Sequence, residues 1–326
     1  MNTVKIGIIG TGWIAEKMAI TLEGMEGVEA YAVASRQLQT ACDFADRWGF
    51  TRAYGSYEEM LDDEEVELVY IATPHSHHFE HARMSLLKGK AVLCEKAFTA
   101  NARQAEELLN LAKEKELFIT EAIWTRYMPL SHTINDLVTS GIIGRPMTLS
   151  ANLGYPIGNR ERLRQSALAG GALLDLGVYA LNFASMVFGT DVERVTSTCV
   201  KTDTGVDAQN SITLTFKDGK IAVLHSSMLS MTDRQGIISG DKGHLIIENI
   251  NNPQRIRVVT EDYKTAVVYN CPPQITGYEY QVYASMEALR NGWLESPYMP
   301  HAETLRIMRM MDDLRREWGV HYPADE

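Results

Sequence analysis

The chain has 326 residues, 45% hydrophobic and 22% charged, the balance of a soluble globular enzyme, and at about 150 residues per domain it is long enough for two. Its net charge is −11 and its 31 Lys and Arg form no run, which argues against nucleic acid or a membrane surface as partner, since both need basic patches. Cys42, Cys94, Cys199 and Cys271 form no CxxC pair, so no zinc site or disulfide framework is indicated, and without a signal-peptide pattern or a long apolar run the expected location is the cytoplasm.

Val4, Ile6, Ile8 and Ile9 make the near-continuous apolar run of a strand buried on both faces. Gly10-Thr11-Gly12-Trp13-Ile14-Ala15 follows at once and opens a helix to about Glu23. This is the strand, glycine turn and helix of a dinucleotide site. Gly10 permits the tight turn, Gly12 lets the backbone approach a pyrophosphate, and Ala15 keeps helix and strand close. Val28 to Ala34 is a second strand ending in Ser35-Arg36. An acid there would bind the ribose 2′-hydroxyl of NAD. A hydroxyl beside a guanidinium suits the 2′-phosphate of NADP, so NADP is the expected cofactor, with NAD possible.

A helix over 37–48, a short strand over 53–56 and a helix over 57–61 lead to a fourth strand, Val66 to Ala72. It stops at the loop Thr73-Pro74-His75-Ser76-His77-His78, at the carboxyl edge where open α/β sheets bind ligands. No carboxylate or cysteine cluster completes a metal site around these histidines, so Thr73, Pro74, His75 and His78 are read as serving the cofactor, with His78 capping a helix from Phe79 to Lys88. Ala91 to Cys94 is a fifth strand and delivers Glu95-Lys96 to the same edge.

The run ATPHSHHFEHARMSLLKGKAVLCEKA resembles the signature of the Gfo/Idh/MocA oxidoreductase family, with its TPNxxH loop and its glutamate-lysine-proline after the fifth strand. With Glu121-Ala122-Ile123-Trp124-Thr125-Arg126, the chain is similar to the branch that holds dimeric dihydrodiol dehydrogenase and NADP-dependent D-xylose dehydrogenase. The resemblance covers essentially the whole chain. It departs at His75, where the family has asparagine, and at Ala97, where it has proline and a stiffer loop.

Leu117 to Ala122 is a sixth strand, closing a dinucleotide-binding domain over 1–122; residues 123–326 form the second, α+β domain. A helix from Pro129 to about Ser140, a strand from Met147 to Tyr155 and an exposed, Arg-rich loop from Gly158 to Gln165 follow. Ala169-Gly170-Gly171-Ala172-Leu173-Leu174-Asp175-Leu176-Gly177-Val178-Tyr179 resembles the family's GGGALLDxGxH segment, with tyrosine for histidine. Its spacing predicts a helix to Phe188 with Asp175 and Tyr179 one turn apart on a single face. From Val192 to Asn270, alternation broken by turn signals predicts one large, mostly antiparallel open sheet. Helices cover one face, and an apolar second face implies a homodimer, as the resemblance also does. Closing helices are expected over 278–291 and 300–318.

The fold class is therefore α/β, a doubly wound Rossmann sheet followed by a substrate domain. The expected chemistry is NADP-dependent dehydrogenation of a carbohydrate or sugar-like diol at a secondary alcohol or hemiacetal carbon, which needs a base at the hydroxyl. Tyr179 is the candidate, supported by the Lys96 ammonium, with Glu95 orienting Lys96 and Asp175 holding substrate or Tyr179. Trp124, Arg126 and Tyr155 are candidate pocket walls. The rival is a protein of this fold that binds NADP without turnover and acts in regulation.

Overall fold

In the computed structural model, which describes residues 3–326, the chain divides into two compact units. Unit 1 is Met1–Ile123 with Gln274–Arg309, and unit 2 is Trp124–Pro273 with Met310–Glu326.

Unit 1 contains β1 (Val4–Ile9), α1 (Trp13–Glu23), β2 (Val28–Ala34), α2 (Leu38–Trp48), β3 (Arg52–Tyr54), α3 (Tyr57–Asp62), β4 (Leu68–Ile71), α4 (His75–Leu87), β5 (Ala91–Glu95), α5 (Ala102–Glu114) and β6 (Ile119–Ala122). The strands form a parallel sheet in the order β3-β2-β1-β4-β5-β6. Successive strands run outward from β1 on one side and from β4 on the other, so the connections part between these two neighbours. A crevice at their carboxyl ends is where such sheets bind ligands. Ile8, Ile9, Leu68, Val69, Tyr70 and Ile71 are all fully buried, which is why the central strands read as unbroken apolar runs.

The predicted division at 122/123 does not hold for residues 274–309, which return to unit 1. Val282, Met286 and Ala288 of α9 (Glu279–Asn291) join the core that contains Val4, Ile6, Met18 and Leu22. Burying side chains the size of Val and Met stabilises by roughly 1.5–3 kcal/mol each. The start of α9 is closed by its own Glu279, whose carboxylate accepts the N–H groups of Ile275, Thr276 and Gly277 at 2.8, 3.1 and 2.7 Å.

Unit 2 contains α6 (Pro129–Thr139), β7 (Pro146–Gly154), α7 (Glu161–Arg164), a π-turn over Leu173–Gly177, α8 (Val178–Phe188) and the strands β8 (Val192–Lys201), β9 (Asp207–Phe216), β10 (Ile221–Ser227), β11 (Gly236–Gly240), β12 (Gly243–Glu248), β13 (Arg255–Thr260) and β14 (Thr265–Asn270). The last helix, α10 (His301–Trp318), is divided between the units after Arg309. The sheet order is β14-β13-β12-β11-β7-β10-β9-β8, antiparallel except where β7 and β10 pair in parallel. The short helix α7 replaces part of the loop expected over 158–165.

The stretch Ser166–Phe188 is long enough to cross a membrane and has a mean hydropathy of 1.5, but it is 89% buried inside the protein, as a core helix is. The other face of the sheet is not uniformly apolar. Thr148, Ser150, Ser211, Thr213 and Thr215 alternate there with Ile221 and Val223, which are 39% and 47% exposed. Cys42, Cys94, Cys199 and Cys271 are all free.

Candidate active site

The cofactor half of the site belongs to unit 1. Gly10 has φ +103°, and a Cβ there would meet the Ala72 carbonyl oxygen at 3.0 Å, so the turn after β1 admits only glycine. Gly12 is different. Its φ is −81°, and a Cβ on it would meet no protein atom within 4 Å. Packing does not demand glycine here; the absent side chain leaves room beside the start of α1. That helix has no side-chain cap at Gly12, so its first N–H groups are available to an anion. A dinucleotide pyrophosphate fits this cradle. Trp13, 61% exposed, stands at its rim.

Ser35 and Arg36 follow β2 at the same edge. The Arg36 cation acts on Tyr57 and on His81, an interaction that assigns all three to one corner. The Tyr57 and His81 rings meet edge to face at 4.6 Å, and Thr73 Oγ1 is 3.0 Å from His81 Nδ1. Burial first, then the neighbouring His77 and His78 imidazoles and the Arg36 cation, press His81 down to about 4. It is therefore neutral at pH 7, and Arg36 supplies the charge of this corner.

The segment expected as a loop from Pro74 to His78 is instead the entry and first turn of α4, with Pro74 as its N-cap residue. His78 is inside the helix and is not its cap. Its Nδ1 lies 2.8 Å from the Ala97 carbonyl oxygen and its Nε2 lies 2.8 Å from that of Thr73. Two carbonyl acceptors favour a protonated ring, whereas complete burial disfavours it. Burial wins, holding His78 at about 4, so one nitrogen donates and the other faces a carbonyl.

Lys96 is half-buried at the end of β5, and the Lys96–Ala97 peptide bond is cis. The loop beyond it is held by side chains. His78 contacts Ala97 O, Glu121 Oε1 on β6 accepts the Phe98 N–H at 3.1 Å, and Cys94 Sγ donates to Phe98 O at 3.5 Å. These contacts replace the stiffness that proline at position 97 would supply. Glu95 accepts from the Tyr70 hydroxyl at 2.5 Å and from the Lys96 backbone N–H at 3.2 Å. Glu121 and Tyr70 were not singled out from the sequence as site residues; an acid and a phenol within otherwise apolar strands are the signal that could have found them.

The catalytic candidates Asp175 and Tyr179 belong to unit 2. They do not share one regular α-helix: Asp175 is in the π-turn, where the Val178 N–H reaches back five residues to Leu173 O, and Tyr179 is in the first turn of α8. Such wide turns are frequent at functional sites. Trp124 Nε1 donates to the Tyr179 hydroxyl at 3.1 Å, and both side chains are buried. Asp175 is 5% exposed, and its Oδ1 accepts from Nη1 and Nη2 of Arg162, each at 3.3 Å. Arg162 was expected only as part of an exposed loop.

Arg126 turns onto α8, donating from Nε to Asn182 Oδ1 at 2.6 Å and from Nη2 to Ser185 Oγ at 3.4 Å. Tyr155 accepts from Arg234 Nη1 at 3.1 Å and donates to Asn251 Oδ1 at 3.4 Å. Thr125 donates to the Asn251 carbonyl oxygen at 2.8 Å. Trp124-Thr125, Asn251, Tyr155 and Arg234 are thus linked through hydrogen bonds in one wall.

Two family models match the chain. One, described as an oxidoreductase family with an NAD-binding Rossmann fold, covers residues 4–122, and the other, the GFO/IDH/MocA C-terminal domain, covers residues 131–246. The trans-1,2-dihydrobenzene-1,2-diol dehydrogenase of Mus musculus is 33% identical over 98% of both chains, and that of Xenopus laevis 34% identical over 98% of this chain and 99% of its own. Among solved structures, a 3-ketoreductase from Actinomadura kijaniata in complex with NADP and TDP-benzene matches with a TM-score of 0.88 and 26% identity over 97% of this chain and 98% of its own. An aldose-aldose oxidoreductase from Caulobacter crescentus shares the fold, with a TM-score of 0.88 at 21% identity over 98% of both chains.

The Ser35-Arg36 corner predicts that NADP binds more tightly than NAD and that Arg36→Asp reverses the order. A charge-assisted contact to phosphate contributes about 1.5–3 kcal/mol, or one to two decades in affinity. Fluorescence titration of both cofactors against both proteins measures it, and equal wild-type affinities would contradict the assignment.

Proposed function

The chain belongs to the Gfo/Idh/MocA oxidoreductase family, and from that premise we propose that it oxidises a secondary alcohol or hemiacetal carbon of a sugar or sugar-like diol with NADP, in a reversible reaction. The observation that carries this reading is the buried Tyr179 hydroxyl in the first turn of α8, with the Trp124 indole N–H donating to it and Asp175, paired with Arg162, four residues before it. The names of the relatives support the substrate class: two are dehydrogenases of a dihydrodiol, and one is a ketoreductase solved with NADP.

Removing the electron pair from a carbinol C–H requires that the hydroxyl proton leave as well. Tyr179 takes that proton in oxidation and returns it in reduction. The Trp124 donor stays on the phenol oxygen and stabilises it while the proton is away. The family resemblance assigns to Lys96 the cation that favours the phenolate, and the contacts of His78 and Glu121 to Ala97 and Phe98 hold its loop. Asp175, oriented by Arg162, binds a substrate hydroxyl or positions Tyr179. Bound NADP would supply the two-electron acceptor.

This assignment predicts that Tyr179→Phe lowers kcat by about 10² to 10⁴ with NADP affinity nearly unchanged, the usual contribution of a positioned acid-base group. Lys96→Met lowers kcat too, and the double variant costs much less than the product of the two, because groups acting as one unit are not additive. Steady-state kinetics on an aldose or diol that the wild type turns over reads both effects. A Tyr179→Phe protein with wild-type kcat and pH profile would remove Tyr179 from the chemistry.

We further propose that the protein is a homodimer formed through the open face of the unit 2 sheet. Support comes from Ile221 and Val223 together with the half-buried Ile237 and Ile246, which interrupt the threonines and serines of that face. A stable pair buries about 1,200 Å² or more. Light scattering at micromolar concentration should return twice 36.5 kDa, and a monomer mass would contradict the proposal.

A further inference from the structure

Asp207, the first residue of β9, is fully buried and is not used in the chemistry above. Its Oδ2 accepts the Leu173 N–H at 2.6 Å and an N–H of Asn210 at 3.0 Å, while Oδ1 has no hydrogen-bond partner. Asn210 is in turn fixed by Ser226, whose hydroxyl donates to Asn210 Oδ1 at 2.8 Å. The carboxylate therefore stands on a rigid strand pair and reaches across to the first residue of the π-turn that carries Asp175.

The turn is shaped around it. Gly171 has φ +117°, and a Cβ there would come within 2.1 Å of Asp207 Oδ1, so only glycine lets the backbone pass. Gly170 is enclosed from the other sides: a Cβ on it would meet Leu163 O at 2.6 Å, and its own carbonyl accepts the Tyr322 hydroxyl at 2.6 Å. The Gly171 N–H is tied to Leu163 O at 2.9 Å. The glycine pair is thus explained by what surrounds it, and Asp207 is the group that grips its helical end.

Burial pushes the Asp207 carboxyl up to about 7 despite the Leu173 and Asn210 donors and the Arg315 cation, all of which act to lower it. A carboxyl raised in this way opposes folding as the pH rises towards its folded value. A buried carboxylate with one orphaned oxygen is a poor stabiliser, which points to a role other than stability.

We propose that Asp207 is a positioning residue: by holding the Leu173 N–H it sets the start of the Leu173–Gly177 turn and so aims Asp175 and Tyr179. The inference rests on the assignment of those two residues to the reaction.

Two variants test it. Asp207→Asn keeps an oxygen that can accept from Leu173, and Asp207→Ala removes it. Misplacing a reacting group by about 1 Å can cost up to ~100-fold, so Asp207→Ala should lower kcat by about tenfold or more with KM for NADP within about twofold, and Asp207→Asn should restore most of the loss. Hydrogen exchange at the Leu173 amide is read in parallel: protected in the wild type and in Asp207→Asn, and exposed in Asp207→Ala. If the wild type turns over no sugar or diol, the functional reading fails while the exchange experiment still decides whether Asp207 holds the turn. An Asp207→Ala protein with wild-type kcat, or with Leu173 still protected, overturns the proposal. So does an Asp207→Asn protein as impaired as a misfolded Asp207→Ala.

Discussion

The first N–H groups of an α-helix have no partner within the helix, and in unit 1 that constraint determines what surrounds it. Because α1 begins at an uncapped Gly12, its N–H groups await an anion. β1 places them at the edge where the strand connections part. Gly10 can make the turn only because it has no Cβ to strike the Ala72 carbonyl. Everything else at this edge is arranged around the same crevice: Arg36 at the end of β2, α4 after β4 and Lys96 after β5. A Cβ at Gly12 would meet no protein atom within 4 Å, so packing leaves this position open and the space beside the cradle is free.

Both units solve a second problem in the same way. A loop that carries a reactive side chain must be held still although it has left the hydrogen-bond ladder of its strand or helix. In unit 1, His78, Glu121 and Cys94 take up the backbone groups of Ala97 and Phe98. In unit 2, Asp207 and Tyr322 take up those of Leu173 and Gly170. Each holder is buried, and burial pushes His78 down to about 4 and Asp207 up to about 7. Each gives a buried backbone group the partner that an apolar residue in its place would leave it without, and so holds the loop in position.

What was legible in the chain is what local pattern encodes. The apolar run before Gly10 and the Val28–Ala34 strand need only neighbours in sequence, and both stand where the spacing puts them. The helix ending at Phe188 with Gly189 at φ +80° is likewise local. The histidine-rich stretch misled because Thr, His and Ser carry little helical propensity, whereas Pro74 and the packing of His78 and Ala82 make His75 the start of α4. The return of 274–309 to unit 1 was not legible, since periodicity shows that α9 has a buried face and not which core buries it. Arg162 meets Asp175 across 13 residues and Leu173 meets Asp207 across 34; pairings of that kind depend on the completed fold and not on local pattern.

The central claim is that this protein moves an electron pair, with its hydrogen, between a carbinol carbon and NADP. Aldoses deuterated at the anomeric carbon and vicinal diols deuterated at the carbinol carbon, incubated with protein and NADP, test it most directly. Mass spectrometry of the cofactor should find one deuterium on the nicotinamide from at least one of these substrates. Tight NADP binding with no deuterium transferred from any of them would contradict the account and leave the fold as a cofactor-binding scaffold.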